Sequence, residues 1–258
     1  MKKDRLCIIV EENQEALSEK GAGLFEQKTI EAVEKKGSSY VALSGGSTPR
    51  EMHRRLASRS SIPWQGVHLF WGDERCVPVG DPASNYGTAW EDFLQKVPMP
   101  AERIHPMPGH MAPEQGALSY ERELKRLFDL RRGYFPLFDL VFLGLGKDGH
   151  TASLFPGQES LDERKSLVVA VKGGDPDVDR LSLTFPVINQ AREVILMVSG
   201  REKAEVVKAV IEDGDPRRPA SRILPASGML TWLLDREAAS MLAQKTLSAF
   251  SPREGTYP

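Results

Sequence analysis

Four apolar residues, Leu140-Val-Phe-Leu143, run directly into a segment punctuated by Gly144, Gly146 and Gly149. The run is too short for a helix and rich in strand formers, so it predicts a buried strand that breaks into a glycine loop. Glycines there let the backbone take positive φ and come close to a ligand, while Lys147, Asp148 and His150 are held out by the loop. Pro156 stops the short turn that follows. The spacing Gly144-x-Gly146-x-x-Gly149 matches the dinucleotide fingerprint, but that fingerprint opens a long helix. Pro156 stands only seven residues after Gly149, and no acidic residue ends a second strand at the required spacing. A histidine directly after the last glycine suits proton chemistry better than pyrophosphate binding, because imidazole ordinarily titrates near ~6.5 and can accept a proton at neutral pH.

Around this segment the pattern alternates. Strands are predicted at Leu6–Val10, Tyr40–Leu43, Val67–Trp71, Leu167–Val171, Leu181–Phe185 and Val194–Val198. Helices are predicted at Gln14–Lys36, weakened in the middle by Gly21 and Gly23, and at Pro49–Ser58, Gly87–Lys96, Pro113–Arg131 and Glu202–Glu212. Leu118, Leu124 and Leu127 mark the inner edge of the fourth. Strands alternating with helices mean an α/β fold: a mostly parallel sheet covered by helices on both faces. At 258 residues, 40% hydrophobic and 27% charged, the chain can bury a full core, and residues 1–258 read as a single α/β domain without linker or repeat. Asp213–Pro219 reads as an ordinary polar loop.

A formal net charge of -2 and the lack of a long Lys/Arg block argue against nucleic acid as a partner. Leu6–Val10, after Met1-Lys-Lys-Asp-Arg5, is too short an apolar run for a signal peptide or a membrane span. Two cysteines, Cys7 and Cys76, make no disulfide framework, so the expectation is a reducing, cytoplasmic setting.

Ligands of parallel sheets collect beyond the carboxyl ends of the strands, and three further loops there are polar. Ser44-Gly-Gly-Ser-Thr-Pro49 precedes a helix; Gly45 and Gly46 let the chain curl, Ser47 and Thr48 supply hydroxyls and N–H groups, and Pro49 suits the first turn. This is a helix N-terminus aimed at an anion, without the ending of a Walker loop. No Gly-x-Ser-x-Gly elbow occurs. Trp71-Gly-Asp-Glu-Arg75, followed by Ser84-Asn85-Tyr86, offers Asp73, Arg75 and Asn85; Arg180 and Lys203 add cations that complement a dianion. The five histidines lack ligand spacings, so no metal is expected, and Trp64, Trp71, Trp90 and Trp232 read as core or pocket wall.

Taken in order, Ser44-Gly-Gly-Ser-Thr-Pro49, Trp71-Gly-Asp-Glu-Arg-Cys-Val-Pro78, Ser84-Asn-Tyr-Gly87, Gly144-Leu-Gly-Lys-Asp-Gly-His-Thr-Ala-Ser-Leu-Phe-Pro156, Arg180-Leu-Ser-Leu-Thr184 and Ser199-Gly-x-x-Lys-Ala204 closely resemble the motifs of the glucosamine-6-phosphate deaminase/6-phosphogluconolactonase family, over nearly the whole chain. The resemblance implies a Rossmann-like fold similar to that of glucosamine-6-phosphate deaminase and ribose-5-phosphate isomerase. On its lactonase side it implies hydrolysis of 6-phosphoglucono-δ-lactone in the oxidative pentose phosphate pathway. The deaminase loop carries a Glu just before the Pro where this chain has Phe155, which favours the lactonase. Lactonases often place a His before Ser-Asn-Tyr where this chain has Asp81, a departure confined to that loop.

Joined to the residues, the resemblance implies His150 as general base on a water, its tautomer fixed by Asp148 or a loop carbonyl. Arg75 and loop N–H groups would stabilise the oxyanion, and Asp73 and Asn85 would hold ring hydroxyls. Ser47, Thr48, Arg180 and Lys203 would bind the 6-phosphate, cradled by Gly45 and Gly46. No cofactor is expected, since the reaction moves protons and water but no electrons; the partner is a small sugar-phosphate lactone, and the sequence leaves the oligomeric state open, a monomer included. A catalytically silent sugar-phosphate sensor on the same fold, as in some bacterial repressors, would usually follow a helix-turn-helix; here the first strand starts within ten residues of Met1.

Overall fold

The computed structural model describes residues 5–251; Met1–Asp4, part of the stretch read for targeting, lie outside it. Its strands are β1 (Leu6–Glu11), β2 (Ser39–Leu43), β3 (Val67–Trp71), β4 (Asp73–Arg75), β5 (Ile104–His105), β6 (Leu140–Leu143), β7 (Val168–Val171), β8 (Arg180–Leu183), β9 (Glu193–Val198) and β10 (Met229–Asp235). Its helices are α1 (Gln14–Lys36), α2 (Ser47–Leu56), α3 (Asn85–Asp92), α4 (Pro113–Leu127), α5 (Phe185–Ile188), α6 (Ala204–Ile211) and α7 (Gln244–Phe250).

Seven strands form one parallel sheet in the order β1-β10-β9-β6-β2-β3-β5. All four residues of β6 and all six of β9 are buried, as expected of strands covered on both faces. Each large apolar side chain so buried contributes roughly 1.5–3 kcal/mol. Right-handed crossovers that step in opposite directions fall on opposite faces of a sheet. The steps β1→β2 and β2→β3 therefore put α1 and α2 on one face, where they pack together, and the step β9→β10 puts α6 on the other. α1 runs unbroken through Gly21 and Gly23, capped at one end by the Asn13 side chain on Ala16 N–H (2.9 Å) and ended by Gly37 at φ 79°.

Four expectations need correction. Leu167–Val171 and Leu181–Phe185 do not enter the main sheet: β7 and β8 pair antiparallel with each other, and β8 pairs antiparallel with β4. The segment joining them, residues 172–179, is too short for the crossover that a parallel pair needs. Phe185 belongs to α5, not to the strand. Leu118 is 57% exposed; α4 buries Ala117, Tyr120 and Leu124, and packs on β7 and β8. Trp90 is 42% exposed, its ring edge-on to Tyr86, whereas Trp64, Trp71 and Trp232 are buried. Three strands, β4, β5 and β10, are absent from the expectations; β10 lies between β1 and β9 and is buried along six of its seven residues.

His53 on α2 is 1% exposed, packs on Phe93 with ring centroids 5.3 Å apart, and has no hydrogen-bond partner for either ring nitrogen among the described residues. Burial depresses its pKa to about 4, so it is held neutral. Between pH 6.5 and 4 the unfolded chain binds a proton there that the folded chain refuses, and stability falls as pH falls. Half-buried His68, lowered to about 4 chiefly by desolvation, acts in the same sense. From pH 7 to pH 5 the His53 contribution should cost roughly 2 kcal/mol, read from urea midpoints, and His53→Leu should remove that part of the slope. An equal slope in both proteins would show that His53 is not the group responsible.

Candidate active site

Chain order reverses between β2 and β6: from β2 the sheet grows through β3 to β5, and from β6 through β9 to β10. Such a switch point opens a crevice beyond the strand ends, where the polar loops after β2 and β6 emerge side by side. Ser44 ties them together by donating to the Phe142 carbonyl (2.8 Å). A cavity of 860 Å³ lies there, lined by Gly45, Gly46, Ser47, Thr48, Asp73, Arg75, Asn85, Asp148, His150, Arg180 and Lys203, so all the site residues expected from sequence share one cleft.

On the β2 side, Gly46 takes φ 100° and among the described residues no side-chain hydrogen bond caps α2. The helix therefore presents its first N–H groups, its positive dipole end and the Ser47 and Thr48 hydroxyls to the cleft. Gly45 is required by a neighbour: a Cβ there would lie 1.8 Å from Asn85 Oδ1.

On the β6 side, Gly146 N–H donates to the His150 carbonyl (2.8 Å) and Gly149 N–H to the Gly146 carbonyl (3.0 Å), closing a tight turn. Asp148 Oδ1 accepts the His150 backbone N–H (3.0 Å) and lies 2.6 Å from His150 Nδ1. A carboxylate only accepts, so Nδ1 carries a proton, and in the neutral ring Nε2 keeps its lone pair. Of the two tautomer partners left open by sequence, the side chain of Asp148 is the one in contact. The imidazole lies against Phe155 (centroids 4.7 Å) and directly over Gly146. A Cβ at Gly146 would come within 2.1 Å of His150 Nδ1 and 2.7 Å of Asp148 Oδ1. Gly146→Ala should therefore displace the pair and cost ~10²-fold in turnover, the scale of a 1 Å misplacement, with the thermal midpoint nearly unchanged. Full turnover in that variant would show that the pair's position is not critical.

The far rim is made by β4 and the start of α3. Asp73 Oδ2 accepts from Ser153 Oγ (2.7 Å), and Asn85 Nδ2 donates to the Asp73 carbonyl (2.9 Å) and to Oδ1 (3.3 Å). Arg75 stands opposite Arg180 in the β4–β8 register. Arg75 Nη1 donates to the Ala83 carbonyl (2.6 Å), while its Nε has no partner among the described residues. Arg180, 3% exposed, donates from Nε to the Gly173 carbonyl (2.9 Å) and from Nη2 to the Pro176 carbonyl (3.0 Å), with its guanidinium 5.6 Å from the Phe155 ring centre. Burial, then Arg75, lower the Arg180 pKa. Two cations opposite each other on one face repel, and an anion in the cleft would offset that cost.

Lys203 follows β9 on the other flank, its Nζ bonded to the Leu145 carbonyl (2.6 Å) and its pKa lowered by burial. Its charged neighbours are Glu202, Lys147 and Asp148, whereas those of Arg180 are Arg75, Asp73, Asp175 and Glu74. The two cations thus border one cleft from separate flanks. Two supports were not legible in the sequence. Ser153 fixes Asp73, and the His150 turn is braced by Arg218, from the loop read as an ordinary polar connection, and by Ala220 just beyond it: Arg218 Nη1 donates to the Asp148 carbonyl (3.1 Å) and Ala220 N–H to the Gly149 carbonyl (2.9 Å).

The profile of the family described as glucosamine-6-phosphate isomerases/6-phosphogluconolactonase matches residues 12–232. A 6-phosphogluconolactonase of Synechocystis sp. is 41% identical over 233 residues, covering 89% of this chain and 95% of that protein. The solved 6-phosphogluconolactonase of Trypanosoma brucei superposes with a TM-score of 0.83 at 30% identity, covering 93% of this chain and 99% of that one. A monomeric glucosamine-6-phosphate deaminase, at 22% identity and a TM-score of 0.77 over 91% of this chain and 99% of its own, shares the fold. With the profile running through every loop of the cleft and a curated relative alike over nearly its whole length, the chain belongs to the glucosamine-6-phosphate isomerase/6-phosphogluconolactonase family.

Proposed function

We propose that this protein hydrolyses 6-phosphoglucono-δ-lactone to 6-phosphogluconate, the lactonase step of the oxidative pentose phosphate pathway, with His150 as general base. The observation that carries the reading is the 2.6 Å contact between His150 Nδ1 and Asp148 Oδ1, which leaves Nε2 free to take a proton. Water loses that proton to Nε2 as its oxygen adds to the lactone carbonyl. The carbonyl oxygen becomes an oxyanion facing Arg75 and loop N–H groups. Collapse breaks the bond to the ring oxygen, which takes the proton back from Nε2, and the open-chain acid leaves. Asp73 and Asn85, braced on each other, bind ring hydroxyls. The N-terminus of α2, with Ser47 and Thr48, receives the phosphate between Arg180 and Lys203. Phe155, packed on His150, offers no second carboxylate to the imidazole, which favours hydrolysis over a deaminase reaction.

No described helix is long and apolar enough to cross a membrane, and the two thiols, Cys7 and Cys76, are unpaired; both support a cytoplasmic enzyme. A lactonase assay coupled to 6-phosphogluconate dehydrogenase, with spontaneous hydrolysis subtracted, should show turnover proportional to protein. Rates equal to the uncatalysed background would overturn the proposal.

A further inference from the structure

The motif Trp71-Gly-Asp-Glu-Arg75 contains a carboxyl that the proposed mechanism leaves unused. Glu74 is 2% exposed and does not line the cleft. Its Oε1 accepts two backbone N–H groups, those of Arg75 (2.7 Å) and Asn85 (2.7 Å). Its Oε2 accepts the Tyr86 N–H (2.8 Å) and the Ser84 hydroxyl (3.3 Å). Asn85 and Tyr86 open α3, and Ser84 Oγ takes the third N–H of that helix, on Gly87 (2.9 Å). The first three orphan donors of α3 are thus satisfied, two of them by a side chain reaching in from another element. The geometry is specific in a second way, because one oxygen atom joins the backbones of two of the residues, Arg75 and Asn85, whose side chains line the cleft from this rim.

We propose that Glu74 is a positioning residue, the clamp that fixes the Arg75 guanidinium and the Asn85 amide relative to each other on the substrate. The inference rests on the reading of Arg75 and Asn85 as substrate contacts. Removing a carboxylate from water is costly, and burial raises the Glu74 carboxyl to about 7 against the pull of its backbone donors. Satisfying a helix end alone does not require that cost, since Ser84 already supplies a neutral cap. A charged acceptor with two oxygens is required where four donors from two segments must converge on one point. Arg75 then emerges beside Arg180 with its Nη1 on Ala83, and Asn85 reaches Asp73 beneath Gly45.

The test is a set of double-mutant cycles on the lactonase reaction. Glu74→Gln keeps the volume and one acceptor oxygen but turns an N–H group toward donors. It should lower kcat/KM about 10- to 100-fold, with KM raised through Asn85 and kcat lowered through Arg75. In an Asn85→Ala background the KM component should vanish, and in an Arg75→Ala background the kcat component should vanish. A purely structural role would instead multiply the same loss in every background. Urea unfolding of each variant separates loss of fold from loss of position. If Glu74→Gln does not accumulate as folded protein, Ser84→Ala, which removes only the hydroxyl arm, should give about a threefold loss with the same background dependence. Wild-type kcat and KM in a folded Glu74→Gln protein, or a penalty unchanged in both backgrounds, would overturn the clamp while leaving the lactonase reading intact. If Arg75→Ala and Asn85→Ala themselves leave kcat/KM unchanged, the substrate assignment fails and the clamp falls with it. Absence of wild-type turnover would fail the lactonase reading first.

Discussion

His150→Ala should lower kcat about 10² to 10⁴-fold while KM stays within a few-fold of wild type. The size follows from what is removed. A positioned base takes the proton of the attacking water in the transition state and returns it to the ring oxygen, and neither event occurs in the bound ground state. Binding should survive because the loop does not depend on the imidazole: the turn is closed by backbone bonds of Gly146 and Gly149, pinned inside by Thr151 Oγ1 on the Gly144 carbonyl (2.9 Å) and outside by Arg218 and Ala220. Asp148→Asn tests the same pair from the other side, since an amide can donate to Nδ1 and so favour the wrong tautomer; a loss of at least ~10-fold is expected. Both variants are read by initial rates with spontaneous hydrolysis subtracted. Wild-type kcat in folded His150→Ala would place the base elsewhere.

Unphosphorylated gluconolactone should be a poorer substrate than the 6-phosphate by at least ~10²-fold in kcat/KM. Hydrogen bonds to a charged group contribute ~1.5–3 kcal/mol each, and the end of α2 adds its dipole. Part of the preference should appear in kcat, because the remote phosphate orients the lactone against His150. Lys203→Ala should erode the preference about 10-fold and leave the unphosphorylated substrate nearly untouched. Arg180→Ala should erode it as well, but with some damage to both substrates, because it also strips partners from the Gly173 and Pro176 carbonyls. Equal damage to both substrates in Lys203→Ala would remove that residue from the phosphate site.

The parts of the fold visible in sequence are those specified locally. Leu140–Leu143 and Val194–Val198 are continuous apolar runs and Val67–Trp71 is one broken only by His68, and each announces a strand without reference to its partners. The cleft was legible because its loops combine glycine with polar residues directly after such runs. What escaped was decided between segments. Sequence spacing alone does not say that β8 pairs with β4, although the short 172–179 connection already forbids a parallel partner. Five residues, Trp71-Gly-Asp-Glu-Arg75, mark a site, but only three-dimensional contact separates Asp73 and Arg75, which face the cleft, from Glu74, which turns away from it. Arg218 sits in a stretch of ordinary polar composition, and its bond to the Asp148 carbonyl spans 70 positions that no local pattern connects. Trp90 shows the reverse error, a large aromatic assigned inward by its type alone.

The pairing of β1 with β10 bears on how the chain comes to be folded at all. Leu6 aligns with Leu230, and among the described residues β10 is the sole sheet neighbour of β1. During synthesis, the first strand of this sheet to leave the ribosome is therefore the last to be zippered. At ~5–20 residues per second it waits on the order of ten seconds or more for its partner. Closure of so long a loop must precede any contact that rewards it, so the step should be slow and late. Until then Cys7, Ile8 and Ile9, buried in the finished protein, stand open to chaperones and to other nascent chains.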